Sequence, residues 1–165
     1  MRPTMHGMDI PCRELTPEDL ELIAFAKRVV DANTDGEDGA HTMGAAVRAA
    51  DGKIYGGINV YHFTGGPCAE LVALGHARAS GARELTTIVA VGNLDRGVFD
   101  PCGRDRQVLF DYHPGIRVIL PTPDGLRSVR IRDLMPLAAG WTIDGGAHPF
   151  GVNSTEGTEA GRAAV

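Results

Sequence analysis

Tyr61-His62-Phe63-Thr64-Gly65-Gly66-Pro67-Cys68-Ala69-Glu70 is the stretch on which the fold turns. It closes a strand-like run, breaks at two glycines and a proline, and opens an apolar, alanine-rich helix. Pro67 suits a first helical turn, because the amide that proline lacks has no intrahelical partner there. Cys68 and Glu70 are therefore expected at the positive end of a helix, a position that lowers a thiol pKa. Pro101-Cys102-Gly103-Arg104-Asp105-Arg106-Gln107 repeats the arrangement with a proline, a cysteine and a helix-starting turn. Two thiolates at two helix mouths, with a glutamate two residues after the first, suit a zinc site with an acid/base beside it.

The flanking chain alternates helix and strand signals. Thr16-Pro17-Glu18-Asp19 carries a cap, a first-turn proline and two acids, and predicts a helix with Leu20, Ile23, Ala24, Ala26 and Val30 on its apolar stripe. The helix should fade near Asn33. Met43 to Ala50 and Lys53 to Val60 are expected to pair through the Asp51-Gly52 turn. The first site helix runs from Cys68 to about Ser80, with Leu71, Val72, Leu74, Gly75 and Ala79 expected inward. Leu85 to Val91 is a buried strand by its β-branched content, residues 92–100 a loop, and Cys102 to Tyr112 the second site helix. Ile116 to Leu120 and Leu126 to Arg130 complete the strands, and Ile131 to Leu137 suits a short helix. The order predicts an α/β sandwich with a mixed sheet of about five strands. Residues 1–15 are expected as a loose arm, 16–141 as the domain and 142–165 as a mobile tail.

The bulk properties are compatible with one domain. The chain has 165 residues, of which 43% are hydrophobic, enough for a proper core. A formal charge of −5 argues against a nucleic-acid groove, which needs a basic surface. It leaves a small polar substrate open. Three cysteines, two of them at helix starts, suit a reducing compartment better than a disulfide framework. No run approaches membrane-spanning length and no signal-like segment opens the chain, so no membrane partner is expected and a cytoplasmic location is.

Cys68-Ala69-Glu70 followed by Pro101-Cys102-Gly103-Arg104 fits the ligand-x-Glu and Pro-Cys-x-x elements of zinc deaminases. The run from Gly57 to Leu71, with Arg106-Gln107-Val108-Leu109 and His113-Pro114-Gly115-Ile116, resembles the cytidine deaminase superfamily, and within it the blasticidin S type. The likeness covers about Ala45 to Leu137. It implies a three-layer α/β/α cytidine deaminase-like fold, a homotetramer, and zinc (Zn2+) held by Cys68, Cys102 and a third ligand. It further implies hydrolytic deamination of an aminopyrimidine nucleoside or nucleoside-like compound, in which a metal-bound hydroxide attacks C4 and Glu70 shuttles protons. Backbone around Ala69 would hold the amino edge of the ring. Ordinary cytidine deaminases have Asn-Val-Glu-Asn before the site; here Asn59-Val60-Tyr61-His62 keeps Asn59 and replaces the acid by an aromatic, as in the blasticidin type.

Asp105 stands where the family's third cysteine is expected, and three readings stay open. It can ligate through oxygen, shift preference toward a harder metal, or serve only as a first-turn acid beside a weak or absent metal. Ligation is favoured, because a carboxylate is an ordinary zinc ligand and Glu70 persists beside it. Arg106 matches a family arginine that approaches the thiolates. Arg104 fills a variable position and is equally suited to the surface. Tyr61, His62 and Phe63 form a substrate arm that also suits core or loop packing, and Trp141 falls where an aromatic tail covers the pocket. Two alternatives keep the fold: an altered or lost metal serving a different nucleoside hydrolysis, or a nucleotide-binding protein without catalysis.

Overall fold

The computed structural model describes residues 10–37, 39–142 and 146–149. It begins with a two-residue strand β1 (Cys12–Arg13) and then α1 (Pro17–Asn33), which a reciprocal capping box between Thr16 and Asp19 starts. β2 (Met43–Ala49) and β3 (Ile54–Ile58) form the expected hairpin, and α2 (Ala69–Ala79) follows. β4 (Leu85–Gly92), β5 (Gly97–Phe99) and α3 (Gly103–Tyr112) lead to β6 (Arg117–Thr122) and β7 (Gly125–Arg130). A 3-10 turn (Ile131–Leu134) replaces the expected helix to Leu137, and β8 (Ala139–Thr142) pairs with β9 (Gly146–Pro149).

The sheet order is β1-β7-β6-β4-β2-β3, with β5 alongside β4. β4 and β6 run parallel and the other neighbours antiparallel, so the sheet is mixed as expected. All five expected strands are present, with β3 at one edge of the sheet. Alternation along them sorts two apolar layers. Ala46, Val89, Val91 and Ile119 meet Leu22, Ala26 and Val30 of α1 on one face. Ala45, Val47, Ile88, Ala90, Val118 and Leu120 pack with Ala69, Ala73 and Ala77 of α2 and Leu109 of α3 on the other. The fold is the three-layer α/β/α arrangement.

Several local expectations are corrected. Leu20 is exposed, because the buried stripe of α1 is Asp19, Leu22, Ala26 and Val30; Asp19 tolerates burial by capping and by pairing with Arg13 at 2.7 Å. On α2 the inward face is Ala69, Glu70, Ala73 and Ala77, while Leu71, Val72 and Leu74 are half-buried and Gly75 and Ala79 exposed. Residues Cys12 and Arg13 of the expected loose arm pair with Val129 and Ser128. β5 lies within the expected loop, and the β8–β9 hairpin extends past the point where the tail was placed. The rest of that tail, like residues 1–9, lies outside the described residues.

Candidate active site

The two cysteines sit at the helix mouths as expected, but each helix begins one residue later than the sequence suggests. Cys68 and Cys102 are the N-caps of α2 and α3, both with extended backbone, and each proline stands just before its cap rather than in the first turn. α2 reaches this position by lying directly on β3. A Cβ at Gly57 would come within 2.4 Å of the Ala73 amide nitrogen and 2.6 Å of the Ala69 carbonyl oxygen, so only glycine permits the approach. The loop before Cys68 is equally tight. The Val60 amide donates to the Pro67 carbonyl at 3.1 Å, and a Cβ at Gly66 would meet the Val60 carbonyl oxygen at 1.6 Å. Arg104 joins the two helix mouths by donating from Nη2 to the Gly66 carbonyl at 2.9 Å.

Cys68 Sγ and Cys102 Sγ are 3.8 Å apart, and the Cys102 thiol donates to Asp105 Oδ2 at 3.0 Å. The two sulfurs and an Asp105 oxygen all lie within 4.8 Å of one another. Asp105 is 1% exposed, yet its Oδ1 has no hydrogen-bond partner. A buried carboxylate oxygen left without a donor is costly unless a cation completes it. Helix ends alone do not make the expected thiolate: burial, then the charge of Asp105, push the Cys68 thiol up to about 12. Crowded sulfurs and a carboxylate are thus a donor set that needs positive charge. The set fits zinc, since two thiolates on a tetrahedral zinc with bonds of about 2.3 Å stand about 3.8 Å apart. Glu70, 6% exposed, lies in the same cleft, and burial followed by the Asp105 charge raises its carboxyl to about 7.

The cleft has a volume of about 390 Å³, within the range of small-molecule sites, and is lined by the segments that follow β3 and β5 and by the mouths of α2 and α3. Of the expected substrate residues, Asn59, Tyr61, His62 and Ala69 line it, whereas Phe63 and Trp141 do not. Asn59 is largely committed to the backbone: its Oδ1 accepts from the Thr42 and Met43 amides, and its Nδ2 donates to the Ala40 carbonyl. Phe63 is 90% exposed and stacks on His62. Trp141 lies against Tyr112, with its amide donating to Asp111. Arg106, expected beside the thiolates, instead donates to the Pro101 carbonyl at 2.9 Å and to Asp100 at 3.0 Å, and so braces the turn into α3. Phe99 and Asp100 also line the cleft and were missed, because β5 carries no strand signal of its own. The Arg104 clamp was missed as well, and no sequence signal marks a guanidinium aimed at a distant carbonyl.

No family model matches the chain. It is 33% identical over 132 residues to the blasticidin-S deaminase of Bacillus cereus, an alignment covering 74% of this chain and 93% of that one. A cytidine deaminase of Mycobacterium tuberculosis is 34% identical over 100 residues, covering 59% and 72%. The crystal structure of a cytidine deaminase from Burkholderia pseudomallei superposes with a TM-score of 0.60 at 32% identity, covering 75% of this chain and 99% of that one. A cytidine deaminase from Bacillus anthracis, at 19% identity, shares the fold with a TM-score of 0.62 over 74% of this chain and 89% of its own. With the relative from Bacillus cereus matched over nearly its whole length, the chain belongs to the cytidine deaminase superfamily of hydrolytic deaminases.

Proposed function

We propose that the protein hydrolytically deaminates an aminopyrimidine nucleoside or nucleoside-like compound of the cytidine or blasticidin S type. Zinc would be held by Cys68, Cys102 and Asp105. The observation that carries this reading is the orphaned, buried Asp105 Oδ1 beside two thiols 3.8 Å apart. The deaminase relatives support the substrate class.

When bound, zinc supplies Lewis acidity that makes a water nucleophilic near neutral pH. The chain's own residues do the rest. Glu70 holds its proton with an affinity near neutrality, so the same carboxyl can take the proton of the attacking water and return it. It would deliver protons to ring N3 and to the amine leaving C4, and ammonia would depart. Ala69 lines the cleft at the first position of α2, where its amide has no intrahelical partner and can hold the ring edge. Tyr61 and His62 would flank the sugar side of the substrate, and the one donor that Asn59 has to spare would reach it. Burial of Glu70 and Asp105 keeps bulk water from both carboxyls. Exposed Tyr61, which lines the cleft, and exposed Phe63 beside it support a homotetramer in which neighbouring subunits complete each cleft. Free thiols support a reducing, cytoplasmic setting, and among the described residues no helix is long and apolar enough to cross a membrane.

The test is ammonia release against cytidine, deoxycytidine, blasticidin S, cytosine and guanine-type bases, with zinc quantified per chain. Turnover of a nucleoside-like member with near one zinc per chain supports the reading. Binding of cytosine compounds without ammonia release overturns it in favour of a binding protein.

A further inference from the structure

We propose that Cys68 and Cys102 form a reversible oxidation site, closing to an intramolecular disulfide that removes both sulfur donors from the metal cluster at once. The geometry carries it. The sulfurs are already 3.8 Å apart in the reduced chain, and a disulfide requires about 2.0 Å, a closure of under about 2 Å. Both cysteines are N-caps that join a loop to a helix, so the movement falls at the ends of elements rather than within them. Cys102 is exposed and Cys68 half-buried, and both line the cleft; any opening that admits a nucleoside admits a peroxide.

The third donor of the cluster matters here. A cluster of three thiols would leave one sulfur over after any pair closed. Here the third group is the Asp105 carboxylate, so the cluster holds one thiol pair and gives one oxidation product. The remaining cysteine, Cys12, lies on the outermost strand β1, packed against the core, and is not part of the cluster.

The oxidant is hydrogen peroxide or an organic hydroperoxide. Cys102 Sγ takes an oxygen atom from hydrogen peroxide, becoming a sulfenic acid and releasing one water. Cys68 Sγ then attacks the Cys102 sulfur; the S–S bond forms as the S–O bond breaks, and the hydroxide leaves with the thiol proton as a second water. The two thiols together lose two electrons and two protons, and the peroxide gains them. Asp105 is left as the sole donor of the three, too few to retain the ion. Dithiol reductant restores the pair. The loss of metal rests on the proposed zinc site, whereas the disulfide itself does not.

The experiment uses Cys12→Ala protein, which leaves two thiols per chain, in zinc-loaded and chelator-stripped forms treated with stoichiometric hydrogen peroxide. The stripped form is expected to lose about 2 Da, the mass of two hydrogens, and to fall from two free thiols to none while its chains stay monomeric on a non-reducing gel. The loaded form is expected to release zinc to a chromogenic chelator in step with thiol loss, and dithiothreitol should restore both thiols and binding. Should Cys12→Ala fail to fold, peptide mapping of the oxidised unsubstituted chain must find the Cys68 and Cys102 peptides cross-linked. Gains of about 16, 32 or 48 Da without the lighter product, or disulfide-linked dimers, overturn the proposal. A stripped chain that closes the disulfide but had never held zinc would uphold the oxidation site and remove the metal reading instead.

Discussion

Burial and the charge of Asp105 raise the Glu70 carboxyl to about 7, whereas an unfolded glutamate titrates near 4.5. The folded metal-free chain therefore binds this proton more tightly than the unfolded chain. That contribution to stability is fully present below about pH 4.5 and is lost as pH rises through 7, on the order of 3 kcal/mol in all. Thermal unfolding of stripped protein is expected to show a falling midpoint across this window, and Glu70→Gln should flatten that part of the curve. The same variant should hold zinc normally while its turnover drops by about 10²- to 10⁴-fold, as expected for loss of a general acid/base. Retained turnover would remove Glu70 from the proton path. At Asp105, replacement by alanine should weaken zinc binding by more than about 100-fold, beyond the loss of an outer-shell partner, and Asp105→Cys should tighten it. Competition with a chromogenic chelator measures both, and an unchanged affinity in the two variants means that the carboxylate never faces the ion.

At the scale of elements, what places the sulfurs is the contact between α2 and β3. Gly57 lets the helix backbone lie on the strand, and the small Ala69, Ala73 and Ala77 form its buried face. Gly57→Val meets backbone atoms that cannot rotate away, so the helix must lift. We expect a loss of about 1–3 kcal/mol in stability together with loss of zinc binding, read by thermal melting and a zinc titration on one sample. This contact also explains which parts of the reading failed. The close approach at Gly57 selects alanines rather than leucines for the facing helix, so ranking residues by hydrophobicity picks the wrong face of α2. β5 was missed because its hairpin turns on Leu94 and Asp95, whose φ values of 53° and 59° are left-handed without glycine. Buried Asn93 supports that turn, accepting from Arg96 and donating to Thr34 and to the Gly36 carbonyl. Such support comes from α1 and its exit loop, which a local pattern cannot register.

At the scale of the whole molecule, Tyr61 at 74% and Phe63 at 90% exposure are apolar surface with no cover among the described residues. Light scattering behind a sizing column is expected to give four times the 17.5 kDa chain mass, and Phe63→Ser should shift the population toward smaller species. A monomer in both cases would leave each cleft complete within one subunit. The sequence by itself determined the class of fold, the five strands β2, β3, β4, β6 and β7, and the placement of Cys68, Cys102, Asp105 and Glu70 at helix starts. These features rest on local causes: caps, proline, periodicity and the spacing of donor residues. Only the tertiary structure decided that two elements 34 residues apart bring their sulfurs to 3.8 Å, that Asp105 is buried with an oxygen to spare, and that Arg106 turns to Pro101 and Asp100. Those are relations between surfaces packed in three dimensions, set by Gly57, Gly66 and the Arg104 clamp, and no one-dimensional period encodes them.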